Sequence, residues 1–594
     1  MTYSIEDFLN IKTAWRSNFS PDGSKVLVQS NLTGTMQLYR VPSGGGDLTQ
    51  ITDFDEPVTG AYLPTSDDLI IQMDVGGNER LQIYQMTDEG NDLTKLVYDP
   101  EFIHRVGGVT RDGSAFAFAC NKRNGVDFDI YVRTFKTAEE RRVFDIGGWC
   151  HPGDFSPDGR FLSVLRLTDK NADNDSYLID LHNGEVIHVS PHDDEAQFGM
   201  PHWLPDGAGF FFSTDTEREF SAVAKYDMAE AGWKIVVEDE WDLSCALDWS
   251  GTNLQIAANH DGFSRIRLHD SVSFHPKAEV PLPGLGIADG IFSQDGRYSA
   301  YSYTSFVEPG DVWLYDTQTR TTRRLTKSPN PVPQEQFVDF DVHRFDSFDG
   351  ESIPTFLARP RESKGEAPPA VVVVHGGPEG QSTAIFNPLA QYLLHRGYAV
   401  VAPNVRGSTG YGKRYHHLDD VHKRLDAVRD LEALHRWLGA AGIDTSRVAL
   451  FGGSYGGYMV LAGLAFQPDL WAAGIDVVGI SSLVTFLENT AAWRRKFRER
   501  EYGSLENDRD FLLQASPITH VENIEAPLFI IHGRNDPRVP VTEAEQIHQV
   551  LTEKGIPSDI LIYEDEGHGL QKLKNRLDAY PKAVDFLDPV LKPG

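Results

Sequence analysis

One short pattern recurs seven times in the first half of the chain: a turn resembling Phe-Ser-Pro-Asp-Gly, an alternating strand, then a second strand. The copies start at Phe19 (FSPDGSKVLV), Leu63 (LPTSDDLIIQ), Thr110 (TRDGSAFAFA), Phe155 (FSPDGRFLSV), Leu204 (LPDGAGFFFS), Trp249 (WSGTNLQIAA) and Phe292 (FSQDGRYSAY). The period is about 45 residues, inside the range of repeat architectures. Asp-Gly between strands suits a tight hairpin, because glycine accepts φ > 0. Each copy carries another short strand, such as Gln37 to Val41 or Asp311 to Tyr315. One such unit cannot bury both faces of its sheet, so the units must stack around an axis. Seven copies therefore read as a seven-bladed β-propeller.

The second half carries a different signal. Val448-Ala449-Leu450-Phe451 is a short apolar run, followed by GGSYGGYM at 452–459 and a helix-forming stretch. A strand, Gly-x-Ser-x-Gly and a helix together make the local pattern of a nucleophile elbow. The turn lifts the Ser454 hydroxyl out of the sheet, and a side chain at Gly452 or Gly456 would clash in so tight a turn. A nucleophilic serine needs a base, an orienting acid and donors for the oxyanion. In an α/β-hydrolase these follow in the order Ser, Asp, His, each in a loop after a strand. Leu528 to Ile531 leads into His532-Gly533-Arg534-Asn535-Asp536-Pro537, and Asp559 to Tyr563 into Glu564-Asp565-Glu566-Gly567-His568-Gly569. Asp536 and His568 thus occupy the acid and base positions. Ala370 to Val374 is a fully apolar strand of the kind buried in parallel sheets. It runs into His375-Gly376-Gly377-Pro378, where glycines let an amide face the reacting centre. The amides of Gly377 and Tyr455 are the expected oxyanion donors.

Together, His375-Gly376-Gly377-Pro378, the RGSTGYG segment at 406–412, GGSYGGYM, and the Asn535-Asp536 and Gly567-His568-Gly569 loops resemble the prolyl oligopeptidase family of serine peptidases. The resemblance covers about residues 335 to 594 and is nearest to the acylaminoacyl-peptidase-like branch. It implies Ser454 as nucleophile, His568 as base, Asp536 as its orienting acid, and Gly377 and Tyr455 as oxyanion donors. It also implies a propeller ahead of the hydrolase domain. Arg538 matches an arginine that borders the substrate site in that branch; a solvated loop charge is the alternative. The chain departs from the branch at Val405, where a tyrosine is usual, and Asp419 to Asp430 lacks an expected Trp-Gly. It shows no paired-glutamate segment like that of the family's dipeptidyl peptidases, which argues against that specificity.

The expected fold is an α/β-hydrolase catalytic domain, a doubly wound and mostly parallel sheet, with an N-terminal seven-bladed β-propeller. Residues 1–18 form an extension whose helix (IEDFL) the resemblance packs on the hydrolase domain; 19–330 form the propeller and 331–594 the catalytic domain. The boundary falls near the proline-rich Ser328 to Glu335, and Pro360 to Pro369 reads as a surface loop between catalytic strands. The expected activity is hydrolysis of short peptides through an acyl-enzyme. The same triad would serve an esterase, and aminopeptidase and carboxypeptidase specificities both stay open.

Composition narrows the partners. A net charge of −32 disfavours nucleic acid. Three cysteines (Cys120, Cys150, Cys245) without C-x-x-C spacing read as free thiols in a reducing compartment. Met1 to Asn10 has no signal-peptide character and no apolar run approaches a membrane span, so a cytoplasmic location is expected. Family members often assemble, so the resemblance allows a homo-oligomer. No cofactor motif occurs. Asp169 to Asp175 half-matches a calcium loop but lacks its glycine and reads as a solvated hairpin. His416, His417 and His422 lack the spacing of a zinc helix, so no metal is expected. The run Arg494 to Arg498 reads as an exposed helix face, with contact to a peptide terminus as the alternative.

Overall fold

The computed structural model describes residues 3–361 and 366–592. Part of the Pro360–Pro369 loop lies outside these residues. The first half forms seven four-stranded antiparallel sheets, each built from strands consecutive in sequence. Blade one comprises Ala14–Phe19, Lys25–Ser30, Gln37–Pro42 and Thr49–Gln50; blade seven comprises Ile287–Phe292, Tyr298–Thr304, Asp311–Asp316 and Thr321–Arg324. The Asp-Gly turn joins the first two strands of a blade. In blade one, Gly23 has φ +69° and its amide donates to the Ser20 carbonyl at 2.9 Å. The first blade therefore begins at Ala14, ahead of the expected start at Phe19. That strand (AWRSNF) is buried only at its two ends, so it carries no alternating signal.

Among the described residues no blade combines strands from the two ends of the propeller. The ring closes through Ala14, whose amide donates to the Gly310 carbonyl at 2.8 Å, and through an apolar layer of Val26, Val28, Val312 and Leu314.

The second half forms one eight-stranded sheet. Its strands are β1 (Asp341–Asp346), β2 (Ser352–Ala358), β3 (Ala370–Val374), β4 (Ala399–Pro403), β5 (Val448–Gly453), β6 (Ala473–Val477), β7 (Leu528–Gly533) and β8 (Ser558–Tyr563). The spatial order is β1-β2-β4-β3-β5-β6-β7-β8, with β3 through β8 parallel and β1 and β2 antiparallel. The helices used below are α1 (Ile5–Leu9), α2 (Pro388–His395), α3 (Arg424–Ala440), α4 (Tyr455–Phe466), α5 (Ala492–Tyr502) and α6 (Leu573–Leu591). One core joins the sheet to α3 and α4, and the other joins it to α1, α2 and α6. Helix α1 opens with a Ser4–Asp7 capping box and packs its buried Phe8 ring 5.4 Å from Tyr392. Because β3 to β8 are parallel, the loops after β3, β5, β7 and β8 gather at one sheet edge, where α/β folds build their sites.

The propeller sits on that edge. A cavity of about 740 Å³ lies between inner propeller strands, with His202, Asp242 and Asp289, and the catalytic-domain segment Thr409 to His416. Among the described residues no helix is long and apolar enough to cross a membrane. The three cysteines are free, and burial pushes their thiols up to about 12.

Candidate active site

The elbow explains its own glycines. Ser454 follows β5 in a strained backbone conformation, φ +59° and ψ −120°, and α4 starts at the next residue. Left-handed φ is uncommon for a residue with a side chain and marks stored strain. A methyl group at Gly452 would overlap the Gly456 carbonyl, and one at Gly456 would overlap the Val374 carbonyl. The Ser454 amide donates to the Val477 carbonyl of β6 at 2.9 Å.

The oxyanion turn lies against the elbow. A methyl on Gly376 would sit 3.3 Å from the Ser454 Cβ. Gly377 has φ +140° and precedes a cis proline, Pro378. Tyr455 is the first residue of α4, so its amide has no intrahelical acceptor. His375 Nε2 is 2.8 Å from Ser408 Oγ, and Thr409 donates its amide to the Gly380 carbonyl at 2.8 Å. The RGSTGYG segment therefore underlies the turn. Val405, in the usual tyrosine position, is buried in the core.

The loops after β7 and β8 meet. His568 Nδ1 is 2.7 Å from Asp536 Oδ2. The other Asp536 oxygen accepts the amides of Arg538 at 2.8 Å and Val539 at 3.0 Å. Burial opposes ionisation of Asp536, but the neighbouring His568 and His532 and the Val539 amide outweigh it, and its pKa lies below the ordinary carboxylate value. With Nδ1 committed to Asp536, Nε2 is the ring nitrogen left to exchange a proton.

Three supports have no clear mark in the sequence. Glu566 is buried and accepts the amides of Gln571 at 3.0 Å and Lys572 at 2.9 Å, bracing the His568 loop. Its only signal is an acidic run ahead of the histidine. Arg498, on α5, donates to the Gly377 carbonyl at 3.2 Å and pairs with Glu379 at 3.0 Å. The Arg494–Arg498 run is therefore not simply an exposed helix face: Arg498 is buried because its partners stand across the domain. The third support comes from blade two. Its loop from Asp74 to Arg80 reaches the catalytic loops, where the Gly76 carbonyl accepts from Asn535 Nδ2 at 3.0 Å. Gly77 lies against Gly567 so closely that neither can carry a methyl group. Glu79 forms an ion pair with Arg538, which is therefore neither free in solvent nor unengaged.

The Asp169–Asp175 loop also docks on the catalytic domain rather than pointing into solvent. Asn171 is buried and donates to Glu501 at 2.5 Å, while Asp173 is 2.8 Å from His192 Nε2. Asp419, Asp420 and Glu501 place carboxylate oxygens within 4.8 Å of one another. Arg424 already pairs with Asp419 and Glu501 there.

Two family models match the halves of this architecture. Residues 385–594 match the prolyl oligopeptidase family, and 148–328 match its N-terminal beta-propeller domain. The chain belongs to the prolyl oligopeptidase family. It is a serine peptidase of that family. It is 27% identical to dipeptidyl aminopeptidase BIII of Pseudoxanthomonas mexicana, over 94% of this chain and 84% of the relative. It is also 27% identical to the acylamino-acid-releasing enzyme of Arabidopsis thaliana, over 39% of this chain and 31% of that one. A solved structure from work on two prolyl endopeptidases superposes with a TM-score of 0.87 over 99% of this chain and 90% of its own, at 20% identity. That likeness carries the fold alone.

Proposed function

We propose that this prolyl oligopeptidase family member hydrolyses short peptides through an acyl-enzyme formed on Ser454. His568 Nε2 takes the Ser454 proton as the hydroxyl attacks the scissile carbonyl, then returns it to the leaving amine. Asp536 holds the His568 tautomer and stabilises the imidazolium. The amides of Gly377 and Tyr455 stabilise the tetrahedral oxyanion, with each such donor typically worth about 3 kcal/mol. Water, activated by the same imidazole, releases the acyl group. The observation that carries the reading is the 2.7 Å Asp536–His568 contact at the sheet edge where the strained Ser454 turn emerges.

Restriction to short substrates follows from the cover. The blade-two loop rests on the His568 loop, and in this reading substrate enters by the propeller channel or a gap between domains. An acylaminoacyl-peptidase or oligopeptidase specificity fits the HGGP and RGSTGYG motifs. A second reading, release of dipeptides from a free amino terminus, is favoured by the Pseudoxanthomonas relative. Profiling a peptide library with free, acetylated and amidated ends by mass spectrometry separates these. Cleavage of intact casein as fast as of short peptides, or turnover of simple esters with no peptide cleavage, would overturn the proposal.

A further inference from the structure

Helix α5 bridges the two halves of the catalytic machinery. At its start, the Ala491 amide donates to the Pro537 carbonyl at 3.1 Å and Thr490 Oγ to the Arg538 carbonyl at 2.8 Å, beside Asp536. Farther along, Arg498 reaches the Gly377 turn. Arg494 stands one helical turn before Arg498, on the same face and between these two contacts. Its guanidinium lies 5.2 Å from the Trp493 ring centre. Arg105, on the blade-three strand His104–Val109, lies 5.8 Å from the same ring and 5.0 Å from Trp149.

The charges at this corner do not balance. Arg498 has Glu379 and Arg538 has Glu79. Arg105 and Arg494 have ring contacts but no carboxylate partner among the described residues, and the Nε of each is buried without a hydrogen bond. Glu79 and Asp536 face Arg494, yet Glu79 holds Arg538, and Asp536 holds His568 and two amides. Burial, then Arg498 and Arg538, pushes Arg494 down to about 9; burial lowers Arg105 as well. Both arginines are partly buried, a guanidinium withdrawn from water without an anion is costly, and its fork geometry suits a carboxylate.

We infer that Arg105 and Arg494 form a carboxylate-binding site beside the catalytic loops, which captures an anionic group of the peptide substrate. This rests on the peptidase reading above and adds the substrate class. The carboxylate comes either from the peptide's C-terminus or from an Asp or Glu side chain. Propeller and catalytic domain each supply one arginine, so the site exists only when the two are docked.

The test uses the full-length enzyme and matched peptides. One pair differs only in a free or amidated C-terminus, the other in Glu or Gln within the chain, and kcat/KM is measured for each. A preference of about tenfold or more for the free acid identifies the terminal carboxylate; the same preference for Glu identifies the side chain. Either supports the site, and the corresponding ratio falls toward one in Arg105→Gln and Arg494→Gln. Equal kcat/KM within both pairs overturns it, as does a preference that both variants retain. Should a variant fail to fold, the wild-type comparison decides alone. Reaction with a fluorophosphonate separates the two levels: equal turnover in both pairs by an enzyme that labels defeats only the carboxylate site. An enzyme that neither labels nor cleaves any peptide defeats the peptidase reading itself.

Discussion

Arg498 donates to the carbonyl oxygen of Gly377 at 3.2 Å while its guanidinium pairs with Glu379 at 3.0 Å. A helix that contributes no atom to the triad thereby fixes the peptide plane beside the expected oxyanion donor. Burial opposes the Glu379 charge, but Arg498 outweighs it and holds the carboxyl below its ordinary value. Arg498→Ala removes both contacts and strands a partly buried carboxylate. Charged hydrogen bonds are worth about 1.5–3 kcal/mol, so kcat should fall roughly 10- to 150-fold with a smaller change in KM. Arg498→Lys should recover part of kcat, because it keeps the charge and loses the fork. A lowered melting temperature with unchanged kcat would reduce Arg498 to a structural residue.

The contact between Gly77 and Gly567 makes a second prediction. Gly77 has φ +74°, and a methyl there would overlap the Gly567 amide nitrogen in the loop that carries His568. Gly77→Ala should displace the blade-two loop and lower kcat at least tenfold. Gly125 has the same φ of +74°, and a methyl group there would meet nothing within 4 Å. Gly125→Ala should cost only about 1 kcal/mol of backbone strain and leave steady-state kinetics alone. Equal kinetic effects of the two substitutions would contradict the role given to the domain contact.

Asp476, on β6 beside the nucleophile strand, is fully buried and makes no hydrogen bond of normal geometry at either oxygen. Burial, reinforced by Glu543 and opposed by the Gly479 amide, raises its pKa to about 7. Between roughly pH 4 and pH 7 the folded state therefore holds a proton that the unfolded chain, with pKa near 3.9, has lost. Stability falls as pH rises through that window and levels off above it. Asp476→Asn stays neutral throughout. Its stability relative to wild type should improve by on the order of 2–3 kcal/mol between pH 5 and pH 8, read from thermal melts. The same difference at both pH values would contradict the buried, protonated state.

What can be read in the sequence is local. The glycines at 452 and 456 are needed within a few residues of Ser454, so the elbow is written in one short segment. Asp-Gly turns mark five of the seven blades for the same reason, while the second and sixth copies carry degenerate turns. Contacts formed across the chain leave no such mark: Glu79 meets Arg538 across 459 positions. A cationic helix face looks alike in sequence whether it meets water or, like Arg498, a carboxylate and a carbonyl. The inner strand Ala14–Phe19 is hidden from pattern reading because a strand with only its ends buried has no period-two alternation.

The most direct test of the triad is to label the enzyme with a fluorophosphonate, digest it and locate the adduct by mass spectrometry. A single adduct on Ser454 is expected, with labelling and peptide turnover both lost in Ser454→Ala while the fold is retained. An adduct on another serine, or full peptidase activity in Ser454→Ala, would contradict the triad.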